Sequence, residues 1–174
     1  PNKRPTTSLL SDSVDYPAGI AWLFVWALTL TAIFFLQVDH PEITDRFANS
    51  TLDLINGHEW WRPFTGLFLH ADLIHLSGNV LIGGMFCLLV SKSLGASVAW
   101  PLILVAGTFG NAIQSALHYP DAFASIGAST ATFGALGILV GLAFIDTATT
   151  GWGFSLRKLS MPLLAGLILF GLLG

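Results

Sequence analysis

Two short stretches carry side chains suited to chemistry. In His70-Ala-Asp-Leu-Ile-His75-Leu-Ser-Gly-Asn79, His75 and Asn79 stand at i and i+4 and therefore share one helix face. An imidazole and a carboxamide aimed at one point are the donors an oxyanion hole requires. The same pair would serve as polar links between membrane helices. In Ser125-Ile-Gly127-Ala-Ser129-Thr130-Ala-Thr-Phe133-Gly134, a serine stands two residues after a glycine and opens an apolar, glycine-rich run. Gly127 permits a sharp turn and close backbone approach. The first helical turn surrounds Ser129 with uncommitted N–H groups that favour developing negative charge. A serine that merely caps the helix has the same setting, so the spacing alone leaves both roles open. The residue types do not suggest a metal centre. There is no His-Glu-x-x-His pattern, His70 and His75 are five apart, and Cys87 is the single cysteine.

The elements that must position these residues are membrane helices. Apolar residues make up 53% of the chain and charged residues 10%, with a mean hydropathy of +0.72. A soluble domain carries about 25% charged residues. A spanning helix needs about 20 mostly apolar residues, and the pattern predicts spans over 19–36, 73–90, 96–117 and 129–145, with a fifth beginning near Leu159. Residues 1–17 read as a flexible polar tail and 18–174 as one membrane domain. The apolar run 161–174 is too short to cross, so the fifth span is expected to be truncated and the natural chain to continue. The connection 37–65 holds Trp60-Trp61-Arg62, a grouping suited to the membrane–water interface. It is predicted to fold partly along that interface, because long structureless loops are uncommon. Thr130, Gly134, Gly137 and Gly141 recur at helical spacing and form one small-residue face for close helix approach. Cys87, inside an apolar run, reads as a small buried side chain.

Lys3, Arg4, Lys92, Arg157 and Lys158 fall on one side of the membrane, and Arg46 and Arg62 on the other. That asymmetry predicts a cytoplasmic N-terminus and brings Ser129, His75 and Asn79 to similar depth near the outer face. The net charge of -3 says little about partners, because most charges lie between apolar runs, and no basic cluster or aromatic-basic ladder suggests nucleic-acid binding.

Taken together, Trp61-Arg62-Pro-Phe-Thr-Gly-Leu-Phe-Leu-His70, His70-x4-His75-x3-Asn79 and Gly127-Ala-Ser129-Thr-Ala-Thr-Phe-Gly134 resemble the rhomboid intramembrane serine proteases of bacterial type. The resemblance covers about residues 19–174. It implies an all-α, polytopic transmembrane helical bundle, with five spans visible of an expected six. It implies a Ser-His dyad that cleaves transmembrane-helix substrates without a cofactor or metal. Ser129 matches the nucleophile, His75 and Asn79 the side-chain oxyanion donors, and His70 and Gly127 supporting residues. Trp61-Arg62 matches a structural first-loop motif, and Thr130 stands where glycine is more frequent. The family's general-base histidine lies on the sixth span and so is not in this chain. His118, flanked by Tyr119 and Pro120 in a loop, is a poor substitute. The glycine face of span four would be the surface lacking that helix, and residues 1–174 alone are expected to be inactive. The implied setting is a multi-pass protein of the cell inner membrane, with transmembrane protein substrates and the lipid bilayer as partners. Two rivals are a rhomboid-like protein that binds membrane helices without cutting them and a small transporter or channel. Retention of Ser129, His75 and Asn79 argues against the first. The placement of Asp72 and Asp146 at span ends, rather than along a path, argues against the second.

Overall fold

The structure, a computed structural model, describes residues 16–150. Residues 1–15 of the predicted tail and the fifth predicted span lie outside the described residues, while the last two residues assigned to the tail, Tyr16 and Pro17, begin the first helix. Helix α1 (Tyr16–Asp39) extends the predicted first span at both ends. After it come three short helices, α2 (Glu42–Phe47), α3 (Thr51–Ile55) and α4 (Arg62–Thr65), with a 3-10 turn over Gly66–Phe68. The second span is continuous over Leu73–Leu94. It comprises α5 (Leu73–Gly78), a π turn (Asn79–Gly83) and α6 (Gly84–Leu94). Helices α7 (Ala96–His118) and α8 (Ser129–Thr150) complete the described fold. Three of these helical stretches are long and apolar enough to cross a membrane, and 129–145 is a shorter apolar helix. Their outward side chains are apolar: Phe24, Leu28, Leu81, Phe109 and Leu117 are each between 64% and 80% exposed. Water would penalise such surfaces, whereas hydrocarbon does not.

The core lies where α1, α6, α7 and α8 meet. Trp26 and Trp100 pack with ring centroids 5.8 Å apart, and Trp22 stacks on Trp100 at 6.4 Å. Leu30, Val90, Ile103 and Ala135 are fully or almost fully buried among them. Cys87 is buried and free, as its apolar surroundings in the sequence indicated. The α7–α8 seam is built on small residues. A Cβ on Gly107 would lie 2.8 Å from Ala131 Cα, and one on Gly134 would lie 2.9 Å from Ala106 Cβ. This corrects the expectation of one uniform glycine face awaiting an absent helix. Thr130 and Gly134 already pack on α7, while Gly137 and Gly141 have nothing within 4 Å among the described residues.

The connection from α1 to the second span is ordered by Arg62, which is only 5% exposed. Its Nη1 donates to the Asp45 and Ala48 carbonyls at 2.9 and 3.0 Å. Its Nε donates to Glu59 at 2.6 Å, and Nη2 pairs with Asp53 at 3.3 Å. Trp60 and Trp61 remain 68% and 51% exposed beside it. Strand β1 (Asn49–Ser50) then pairs antiparallel with β2 (Ala124–Ser125), Asn49 opposite Ser125. The Gly127 N–H donates to the Gly66 carbonyl at 2.9 Å. These bonds clamp the segment leading into α8 against the first connection.

Candidate active site

Gly127 has φ of +126°, a region that side chains strongly disfavour. The space that its missing side chain leaves is used by the site. A Cβ there would lie 2.5 Å from His75 Cε1, 2.6 Å from His75 Nε2 and 3.6 Å from Ser129 Oγ. The imidazole of the second span and the hydroxyl of α8 thus border one small space, and the glycine is what permits it. Ser129 is the first residue of α8, and both Ser129 and His75 are half-buried. His75 is held by the start of its own helix. Asp72 caps α5, its carboxylate accepting from the His75 N–H at 2.8 Å.

Asn79 lies one turn deeper and is fully buried. Its Nδ2 donates to the His75 carbonyl at 3.0 Å, and its Oδ1 accepts from Thr132 Oγ1 at 3.4 Å. The extra carbonyl bond falls where the helix opens into its π turn, consistent with a side chain competing in the backbone ladder. The i, i+4 spacing did put His75 and Asn79 on one face. In the folded chain, however, Asn79 ties that face to α8, and one of its amide hydrogens is committed to its own helix.

His70 is 2% exposed and lies against the same site. Its Nε2 accepts from the Ala128 N–H at 3.5 Å, and its ring meets the His75 ring edge-on at 5.2 Å. Gln37, in the last turns of α1, brackets the His70 backbone. Its Oε1 accepts from His70 N–H at 3.0 Å, and its Nε2 donates to the His70 carbonyl at 3.4 Å. Burial pushes the His70 pKa down to about 4, and the neighbouring His75 acts in the same direction. The Phe68 carbonyl and Asp72 oppose them weakly, and Nδ1 has no well-aligned hydrogen bond. A neutral ring is what accepting the Ala128 N–H requires.

His118 lies elsewhere. At the end of α7 it stacks on Phe123 at 3.9 Å and bonds the Gln114 carbonyl at 2.8 Å, an exposed setting that gives it no contact with Ser129. The described residues contain no cluster of three or more potential metal ligands.

The Rhomboid domain family model matches residues 57–174. The chain belongs to the rhomboid family. It is therefore a multi-pass membrane protein with the all-α helical bundle expected from the sequence. Among curated relatives, it is 32% identical over 126 residues to Rhomboid protease GluP of Bacillus subtilis, an alignment covering 70% of this chain and 24% of that protein. It is 29% identical over 139 residues to Putative rhomboid protease YdcA of the same organism, covering 79% of this chain and 68% of YdcA. It is also 32% identical over 106 residues to RHOMBOID-like protein 6, mitochondrial, of Arabidopsis thaliana, covering 61% of this chain and 32% of that protein. The rhomboid chain thus spans about a quarter of GluP and a third of the plant relative. No solved structure matches it significantly.

Several residues around this candidate site carry no motif in the sequence. Gln37, Asn49, Asn111 and Ser115 are buried polar groups that tie the site to its surroundings. The available signal was their cost. Polar side chains inside apolar runs, such as Asn111 and Ser115 at i and i+4 on α7, are usually paired or functional.

Proposed function

We propose that this protein is an intramembrane serine endopeptidase that cleaves transmembrane-helix substrates, with Ser129 as nucleophile. The observation that carries the reading is the juxtaposition at Gly127. Its left-handed backbone lets the His75 ring and the Ser129 hydroxyl border the same space. Membership of the rhomboid family adds to it, since the relatives GluP and YdcA are named rhomboid proteases.

In this mechanism Ser129 Oγ attacks the scissile carbonyl while a base takes the hydroxyl proton. The negative charge moves to the carbonyl oxygen, where His75, the free amide hydrogen of Asn79 and the Ser129 N–H donate to it. Collapse breaks the C–N bond, the leaving amine takes the proton, and water hydrolyses the acyl-enzyme. Ser129 opens α8, so the uncommitted N–H groups of the first turn favour the oxyanion. His70 supports the site by holding the Ala128 N–H. His118, engaged away from Ser129, is not assigned as the base of the Ser-His dyad. Lys/Arg placement gives this reading its orientation: N-terminus cytoplasmic, active site towards the outer face of the inner membrane.

The test is cleavage of a single-span reporter by the full-length protein in liposomes. Ser129→Ala is expected to abolish cleavage and labelling by a fluorophosphonate. Cleavage that survives the substitution would exclude Ser129 as the nucleophile.

A further inference from the structure

Thr130 follows the proposed nucleophile, and both arms of its side chain are occupied by consecutive residues of α7. Its hydroxyl donates to Asn111 Oδ1 at 2.8 Å. Its methyl fills the space left by Gly110. A Cβ on Gly110 would lie 2.5 Å from Thr130 Cγ2, its one neighbour within 4 Å from beyond its own helix among the described residues. A β-branched side chain held at both branches has one rotamer open to it. Asn111, 3% exposed, passes the connection on: its Nδ2 donates to the Pro63 carbonyl at 2.9 Å. Asn49, fully buried, donates to the Asn111 carbonyl at 3.3 Å and accepts from Ser115 Oγ at 3.0 Å. Pro63 adjoins Arg62, the residue that orders the first connection. A continuous set of buried hydrogen bonds therefore runs from that connection through α7 to the first turn of α8.

We infer that Thr130 is a positioning residue. Its hydroxyl and methyl lock the start of α8 to Asn111 and Gly110, and so fix where the Ser129 hydroxyl meets His75. This rests on the reading of Ser129 as nucleophile. Adjacent Cα atoms are separated by a fixed distance of about 3.8 Å, so anchoring Thr130 restricts Ser129 directly. Misplacement of a reacting group by about 1 Å is enough to cost about 100-fold in rate. Partial loosening by one lost hydrogen bond should cost about tenfold.

The experiment uses the full-length protein in liposomes with a single-span reporter, and follows kcat, KM and thermal unfolding together. Thr130→Val keeps the shape and removes the hydroxyl; kcat should fall about tenfold with KM within about twofold. Thr130→Ser keeps the hydroxyl and should retain kcat within about threefold. Gly110→Ala should lower kcat by about tenfold or more through its clash with Cγ2. Adding Thr130→Ser, which removes that methyl, should restore both kcat and the unfolding temperature, whereas adding Thr130→Val should not. A fully active Thr130→Val, or a Gly110→Ala that serine fails to rescue, would overturn the inference. The nucleophile reading fails separately, through a Ser129→Ala variant that still cuts. The rescue of unfolding temperature by serine needs no assumption about Ser129.

Discussion

The connection 40–72 and the helix bundle beside it are held together by opposite means. In the connection, backbone turns leave carbonyls that no helix or sheet satisfies, and one buried guanidinium gathers two of them with two carboxylates. In the bundle, the helix interiors satisfy most of their own backbone groups, so contact is governed by how closely two backbones approach. There the α7–α8 seam depends on side chains being absent, at Gly107 and Gly134. One region is fixed by donors that must be present, and the other by atoms that must not be. The candidate site lies where the two meet: His75 and Ser129 come from bundle helices, while His70 and Gly127 belong to the connecting segments.

Four substitutions or conditions probe that contrast. Arg62→Met should be the most damaging, because it leaves buried carbonyls without donors and two carboxylates without their cation. We expect a loss of about 4 kcal/mol in unfolding experiments. Hydrogen exchange should locate the opening in residues 42–66 before the bundle. If that segment stays protected, its order does not depend on the guanidinium.

Acidification acts next, at the joint between the regions. His70 has a folded pKa of about 4, against about 6.5 in an unfolded chain. Above pH 6.5 the ring is neutral in both states and contributes no pH dependence. As pH falls towards 4, the unfolded chain binds the proton and the native one does not, so stability declines by about 3 kcal/mol at most. Below about 4 the penalty is constant. Comparing the pH dependence of unfolding with that of His70→Leu isolates this slope, and identical slopes would remove His70 as its source.

Gly107→Val tests the bundle's rule from the other side. The new atoms meet the backbone of Ala131, which cannot rotate away, and should cost about 2 kcal/mol. Here hydrogen exchange should rise first along α7 and α8, the reverse of the Arg62 pattern. Last, Glu42→Gln should leave the unfolding temperature unchanged within error. Its partner His40 is 56% exposed and their contact is a surface pair.

The bundle was largely legible in the sequence because run length and composition are local properties. The predicted spans agree with α1, the second span and α7 to within a few residues at each end. His75 and Asn79 were legible through their spacing, and Gly127 through the turn that a glycine allows. Their contacts were less so. That Asn79 would bond Thr132 rather than stand free depends on the relative depth of two helices, which no single run encodes. Gln37 and Asn49 were invisible for the same reason: each partners residues more than 30 positions away. Thr130 was visible as a departure from a glycine and as one member of a small-residue face, and its reason sits on α7, where Gly110 supplies room and Asn111 an acceptor. Arg62 was placed at the interface by its neighbours, yet it is buried while the adjacent tryptophans are exposed.

The π turn at Asn79–Gly83 gives the second span two phases on one rod. Each turn of a π helix holds more residues than a turn of α-helix, so the segment acts as a one-residue insertion absorbed within the span. Within it, positions 79 and 83 both meet Thr132 of α8, while Gly84 turns to Leu23 of α1. Removing a single residue from this segment would restore regular winding, while the helices on either side keep their bearing, because the wide turn has already taken up the extra residue. The half bearing His75 and the half packed on α1 would both stay in place, and the change would fall on the column that faces Thr132. The span thus confines one extra residue to the stretch between the candidate site and the rest of the bundle.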